Sequence, residues 1–384
     1  MSSDLFRDSD GRVSFGELFY DLVFVFAITQ ISHFLLHHFT LHGALETLFL
    51  FVAVWWVWIY STWVFNRLDP EMIPVRGLLF LMMAGGLFLS MAIPQAFGDR
   101  GLIFALAFVG MQGGRSLFMA WAAEGHPALR NTYLRIVCWL GCSALFWIWG
   151  GLAEPETRVV LWGIALAIDL MAPMLRYPVP GLGRDQTTDW TINGGHMAER
   201  CGLFVIICLG ETLLISGATF AETEWDAVGI VAFLSTVLGA IGMWWVYFHI
   251  GHKRGTHLIE HSDDPGSLGR SAFTYLHIPI VAGVVLGAVG SELTIAHPSH
   301  HASYVEAAII IGAVALFLFG NGLFKWVSAP NFPLSHMVGI GLCAVVMAGA
   351  GFMTLVSLNS LAALILVVVA VWEQRSFASG PVEA

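Results

Sequence analysis

The sequence predicts an all-α polytopic membrane protein of about twelve transmembrane helices, in two parallel six-helix repeats with both termini cytoplasmic. Three observations carry this. Apolar residues make up 57% of the chain and charged ones only 11%, against about 25% charged in a soluble domain. Mean hydropathy is +0.75, more apolar surface than a soluble fold of 384 residues could bury. Apolar runs of spanning length recur between breakers, and the basic residues crowd onto alternate connections.

A span needs about 20 mostly apolar residues. Span one, 17–38, opens with ELFYDLVFVFAITQ. Span two, 43–66, carries the Trp-rich WWVWIYSTW (55–63), read as packing plus an interfacial belt and not a ligand cage. Asp69-Pro70 precedes span three, 73–95, which ends at Pro94. Spans four (100–121), five (132–152) and six (157–175) are separated at Pro127 and Pro155 and closed by Pro178-Val179-Pro180-Gly181. Spans seven (197–218) and eight (226–249) run to Pro265-Gly266, and nine (272–294) runs to Pro298. Ten (303–326) precedes Pro330, and eleven (334–355) is parted from twelve (357–373) only around Ser357-Leu358-Asn359. The polar, acidic opening MSSDLFRDSDGRVSFGE lacks the pattern of a cleavable signal, so the first run is expected to be a retained span in the cytoplasmic (inner) membrane.

With the N-terminus inside, Arg100 and Arg158 alone of the 17 basic residues fall on outer segments, which fixes the expected orientation. The long inner connection after span six suggests a duplication, 1–180 and 181–384, and three echoes keep its register. ELFYDLVFVFA (17–27) is echoed by ERCGLFVIIC (199–208), Trp55-Trp56-Val57-Trp58 by Trp244-Trp245-Val246-Tyr247, and GGRSLFMAW (113–121) by GNGLFKW (320–326).

At 100° per residue, Glu17, Asp21, Ser32 and Thr29 share one arc of span one, and His196, Glu199, Arg200 and Glu211 share one arc of span seven. Lipid offers no hydrogen-bond partner, so both arcs, with Gln30, are expected to turn toward a polar core. Asp169 in span six, His277 in span nine, the Gln112/Arg115 pair in span four and the Asn321/Lys325 pair in span ten can join them. An ionised Asp169 or Arg115 is costly alone, so carboxylate–Arg or carboxylate–His contacts are expected. Glu211 is the deepest carboxylate and has no nearby cation in its own helix, as a proton-coupled carrier requires.

The pairs His33/His37 and His38/His42 have metal-ligand spacing but no carboxylate or thiol beside them; they read as a solvated outer rim with His297, His300 and His301, without metal. His249, His252, His257 and His261 are mixed with charges and read as an inner loop. All five cysteines, Cys138, Cys142, Cys201, Cys208 and Cys343, read as small buried hydrophobes. No Walker loop, GxSxG, HExxH or dinucleotide fingerprint occurs, so no cofactor is expected and a nucleotide-driven pump is excluded. A net charge of −10 argues against nucleic acid. The expected partners are the bilayer and a small solute or ion.

ELFYDLVFVFAITQ (17–30), the set Trp55, Thr62-Trp63, Asn66, Asp69, HMAERCGLFVIICLGETLL (196–214) and YLHIPIVAG (275–283) together resemble the bacterial low temperature requirement A family. Glu17, Asp21, His196, Glu199, Arg200, Gly210 and Glu211 match its pattern, while Tyr20 and Cys201 stand where Phe is more usual. The resemblance implies a multi-spanning protein linked to growth in the cold and names no substrate. The parallel six-plus-six plan is shared with major facilitator carriers, and Phe19-Tyr20-Asp21 is similar to the helix head of the lysosomal potassium-channel family, but Leu203 stands at the matching place in the second half. The reading is a secondary, proton-coupled transporter, with Glu211 protonatable, Asp169 and His277 a relay, and Arg115 or Arg200 a counter-ion. The alternative is a membrane-embedded enzyme or lipid-handling protein in envelope cold adaptation; a cation channel comes third.

Overall fold

The computed structural model describes residues 5–7, 12–187, 190, 192–249, 264–327 and 331–378. Among these there is no strand, and eleven helices are long and apolar enough to cross a bilayer. In chain order they are α1 (Phe15–His37), α2 (Leu41–Phe65), α3 (Ile73–Gln95), α4 (Gly101–Ala122), α5 (Pro127–Leu152), α6 (Pro155–Met174), α7 (Gly194–Ala221), α8 (Ala227–Phe248), α9 (Pro265–Ala296), α10 (Tyr304–Val327) and, last, α12 (Leu355–Ser376). Before α12 lies the shorter α11 (Leu334–Ala348). The protein is a multi-pass membrane protein.

Local chemistry sets the helix starts. Ser14 caps α1 through a capping box: its hydroxyl accepts from Glu17 N at 3.2 Å, and the Glu17 carboxylate accepts from Ser14 N at 2.9 Å. Asp226 caps α8 by accepting from Gly229 N at 2.7 Å. Pro127, Pro155 and Pro265, read as breakers, are the first residues of α5, α6 and α9. The first N–H of a helix has no partner, so proline loses nothing there.

One boundary needs correcting. The sequence suggested spans of 334–355 and 357–373, yet α11 is only 15 residues long and stops at Ala348. Gly349 and Gly351 weaken the helix there, and Ala350–Phe352 forms a 3₁₀ turn. The α9–α10 connection takes up the freed backbone groups: Ala302 N donates to Met353 O at 3.0 Å and Leu355 N to His300 O at 2.9 Å.

The chain divides into two units, 1–197 with 260–268, and 198–259 with 269–384. In the first unit α2 is the most enclosed helix, and Trp55, Trp56 and Trp58 are fully buried. Three of the run's four tryptophans are therefore interior packing, while Trp63 is half-buried and stands edge-on to Trp190 at 5.4 Å between ring centres. By contrast α5 is the least enclosed, and Cys138 and Cys142 on it are exposed. This corrects the reading of five buried cysteines: apolar residues of a span can face lipid, so composition does not imply burial. Arg158 donates to the carbonyls of Gly150, Ala153, Ala96 and Gly98. It thereby satisfies groups left orphaned around the C-terminus of α5.

In the second unit α9 and α10 cross on glycine. A Cβ on Gly283 would lie 2.7 Å from Phe317 N, and one on Gly320 would lie 2.8 Å from Ile280 N. Such contacts need backbone to move. We expect Gly283→Ala to lower stability by about 1 to 3 kcal/mol, read as the unfolding midpoint in detergent; an unchanged midpoint would contradict this crossing. Below the crossing α9 widens into a π-turn at Arg270–Tyr275, where Pro279 has no N–H to return to the carbonyl of Tyr275.

Candidate functional site

Glu17 anchors a buried network in the first unit. Its Oε2 accepts from Arg7 Nη2 at 2.8 Å and from Ser14 N and Oγ, and its Oε1 meets His196 Nε2 at 2.8 Å. Arg7 is placed by the chain ahead of α1, where Arg7 N donates to Arg67 O and Asp69 N to Leu5 O. Asn66, at the end of α2, donates from Nδ2 to Asn193 O at 2.9 Å and accepts at Oδ1 from Asn193 N at 3.1 Å. Those two bonds fix the amide's orientation, so its Nδ2 also donates to His196 Nδ1 at 3.2 Å. Nδ1 is therefore bare, and Nε2 carries the hydrogen donated to Glu17. These contacts orient the His196 ring between Asn66 and Glu17.

Asp21, one turn further along α1, accepts from Trp58 Nε1 at 2.7 Å. Beside it, Ser61 uses its full hydrogen-bonding capacity. Its hydroxyl donates to Val57 O and accepts from Tyr20 Oη at 2.9 Å and Arg115 Nη1 at 3.0 Å. Arg115, wholly buried, also donates to Val57 O at 2.8 Å and to Gln112 Oε1, and lies 5.1 Å from the centre of the Tyr60 ring. Thus Arg115 has no ion pair among the described residues, contrary to the expected carboxylate partner. Neutral oxygens and an aromatic face hold the charge instead.

Asp169 departs from expectation in the same way. It is 2% exposed, and its Oδ2 accepts from Trp147 Nε1 at 2.9 Å, while Oδ1 has no hydrogen-bond partner among the described residues, the neighbouring Ser143 hydroxyl donating to Leu140 O instead. Pro173, four residues on, cannot donate to the Asp169 carbonyl. Trp147 is oriented by Phe108, 4.3 Å away between ring centres, and its carbonyl accepts from Trp162 Nε1. An isolated carboxylate is costly to bury, so the charge state of Asp169 is coupled to whatever stands beside Oδ1.

The second unit holds two polar clusters. His277 Nδ1 donates to Ala272 O at 2.8 Å, across the π-turn, and Nε2 lies 2.9 Å from Tyr247 Oη. Lys325 Nζ donates to Glu373 Oε1 and Oε2 at 2.9 and 2.7 Å and to Val246 O at 3.0 Å, which uses all three of its hydrogens. His336 Nε2 meets Asn321 Oδ1 at 2.9 Å. Asn321 and Lys325 do share a buried face, as their spacing implied.

Between these helices lies a small cavity of about 30 Å³, lined by Thr212, Thr236, Ser291 and Asn359 among glycine, alanine and aliphatic residues. Asn359 Nδ2 donates to Ser235 Oγ at 2.8 Å and Thr236 Oγ1 at 3.1 Å. One water needs roughly 10–15 Å³ of such space, so the cavity has room for two or three. Glu211, 7% exposed, is the residue before Thr212.

Of the two arcs, Glu17, Asp21, Ser32, His196, Arg200 and Glu211 are buried, while Glu199, Thr29 and Gln30 are half-buried. Thr29 Oγ1 donates back to Val25 O. The first unit brings Glu17 to His196; within it, Asp169 and Arg115 have other partners. Arg7, Asn193, Ser61, Trp147, His336 and Glu373 escaped the sequence reading. Only Glu373 had a usable signal, as an acid closing the last span. At the C-terminal end of α1, His37 Nδ1 donates to His33 O and His38 Nδ1 to Phe34 O, which ties two of the four histidines to the helix terminus. His42 Nε2 lies 3.3 Å from Glu46 Oε1, so a carboxylate does stand beside one of them, contrary to the sequence reading. His252, His257 and His261, expected on an inner loop, lie outside the described residues.

Residues 12–371 match the family described as bacterial low temperature requirement A protein (LtrA). An uncharacterized protein of Rhizobium meliloti (strain 1021) is 44% identical over 367 residues, covering 94% of this chain and 89% of its own. Protein RarD of Streptomyces exfoliatus is 27% identical over 146 residues, covering 35% of this chain and 46% of its own. No solved structure matches. With the match running from the capped start of α1 nearly to the end of α12, the chain belongs to the bacterial low temperature requirement A family.

Proposed function

We propose that the protein is a secondary, proton-coupled transporter of a small solute or ion in the bacterial cytoplasmic membrane. In this reading the halves 1–180 and 181–384 are parallel repeats with both termini inside, and α1 and α7 supply the polar groups of the transport site. Glu211 carries the proton, Asp169 and His277 relay it, Thr29 and Gln30 add polar lining, and Arg115 or Arg200 serves as counter-ion. The observation that carries the reading is a buried mid-helix acid, Glu211, whose neighbour Thr212 is one of four polar side chains on a water-sized, otherwise apolar cavity. Intramembrane acids are costly and mark ion or proton paths, and water beside one gives a proton somewhere to go. Asp169, buried with one carboxyl oxygen unbonded, supports it independently.

Accumulation of candidate solutes by proteoliposomes under an imposed pH gradient tests the proposal. One solute should accumulate with the gradient and fail to do so when the gradient is dissipated. Identical uptake with and without the gradient, for every solute, would overturn it.

A further inference from the structure

The first unit contains a cavity of about 470 Å³ lined by Arg67, His126, Thr132, Arg135, Arg184 and Trp190, with Asp185 the lone carboxylate among the described lining residues. Asp185 is already committed. Its Oδ1 accepts from Thr132 Oγ1 and, at 3.4 Å, from Arg135 Nη1, and its Oδ2 accepts from Trp190 Nε1 at 2.7 Å. Arg135 is further held by Leu182 O at 2.8 Å. One arginine is thus neutralised, and the side chains of Arg67 and Arg184 have no hydrogen bond or ion pair among the described residues. Burial pulls the Arg67 guanidinium down from its ordinary value, against the opposing influence of Tyr133 and Asp185. Arg67 is half-buried and Arg184 exposed, and both line the cavity.

The backbone adds to the same field. The first residues of α5, Pro127, Ala128 and Leu129, line the cavity. This 26-residue helix has no side-chain cap and no acid in its first turn, so its positive end and free N–H groups are unopposed. Two unpaired guanidinium groups and an open helix N-terminus around one cavity make a set of donors suited to a group with several anionic oxygens.

We infer that this cavity binds a phosphate group, carried either by a soluble phosphorylated compound or by the headgroup of an anionic phospholipid. The cavity lies on the side that the basic residues place in the cytoplasm, where both occur. The inference stands apart from the transport reading and needs none of its residues.

Inorganic phosphate titrated at constant ionic strength into protein held in phosphatidylcholine nanodiscs, followed by calorimetry, probes the soluble source. Native mass spectrometry of protein purified from mixed phosphatidylglycerol and phosphatidylcholine probes the lipid source. The variants are Arg67→Gln and Arg184→Gln, which break no bond in the fold; unaltered ligand-free unfolding midpoints show that they remain intact. Saturable phosphate binding weakened at least about tenfold in each variant assigns a soluble ligand. Selective retention of phosphatidylglycerol, lost in both variants, assigns the lipid. Absence of binding in both arms, or binding that neither variant changes, overturns the inference.

Discussion

Replacing Glu17 by alanine is expected to destabilise the first unit by about 3 to 5 kcal/mol, the cost of breaking a buried ion pair from one side. Glu17 is fully buried and Arg7 nearly so. The substitution strands the Arg7 guanidinium, removes the acceptor of His196 Nε2–H, and undoes half of the α1 capping box. Glu17→Gln should cost less, because an amide oxygen can still accept from one of these donors. Denaturant unfolding in detergent micelles reads both. A loss below about 1 kcal/mol for Glu17→Ala would show that the network is solvated and not the buried clasp described here.

The second large effect is at Lys325 and Glu373. Lys325→Met leaves the Glu373 carboxylate buried among Ser335 and His336 without its cation, and should likewise cost about 3 to 5 kcal/mol. The double substitution Lys325→Met with Glu373→Leu should recover most of that loss, because both charges then leave the interior together. Unfolding of the four proteins in a double-mutant cycle measures the coupling. Additive losses would mean that the two residues do not act as a pair.

Both effects turn on contacts that the sequence disclosed unequally. The helices were legible because apolar runs and prolines follow from bilayer thickness and from the missing N–H of proline, which are local constraints. The α11 boundary was not, since two glycines in an unbroken apolar run leave hydropathy unchanged while ending the helix. The buried face of α1 was legible for the same local reason: Glu17 and Asp21 are one turn apart. Their partners were hidden, because Arg7 comes from a polar leader and Trp58 from a run that looks uniformly apolar. Indole N–H groups are donors in apolar disguise. That is why Asp169 meets a tryptophan where a cation was expected, and why Trp58 as a donor to Asp21 went unread. Asn321 and Lys325 declared a shared face, but only the fold could name Glu373 and His336 as what lies opposite.

The central claim, that Glu211 carries a transported proton, is tested most directly by proton flux into liposomes containing the purified protein. The unmodified chain and Glu211→Gln are compared across a panel of solutes and with the pH gradient in each direction. The account predicts flux that depends on one solute and collapses in Glu211→Gln, while the variant keeps the unfolding midpoint of the unmodified protein. Equal solute-dependent flux in the two proteins, or no flux with any solute from a folded protein, would contradict it and make Glu211 a structural acid.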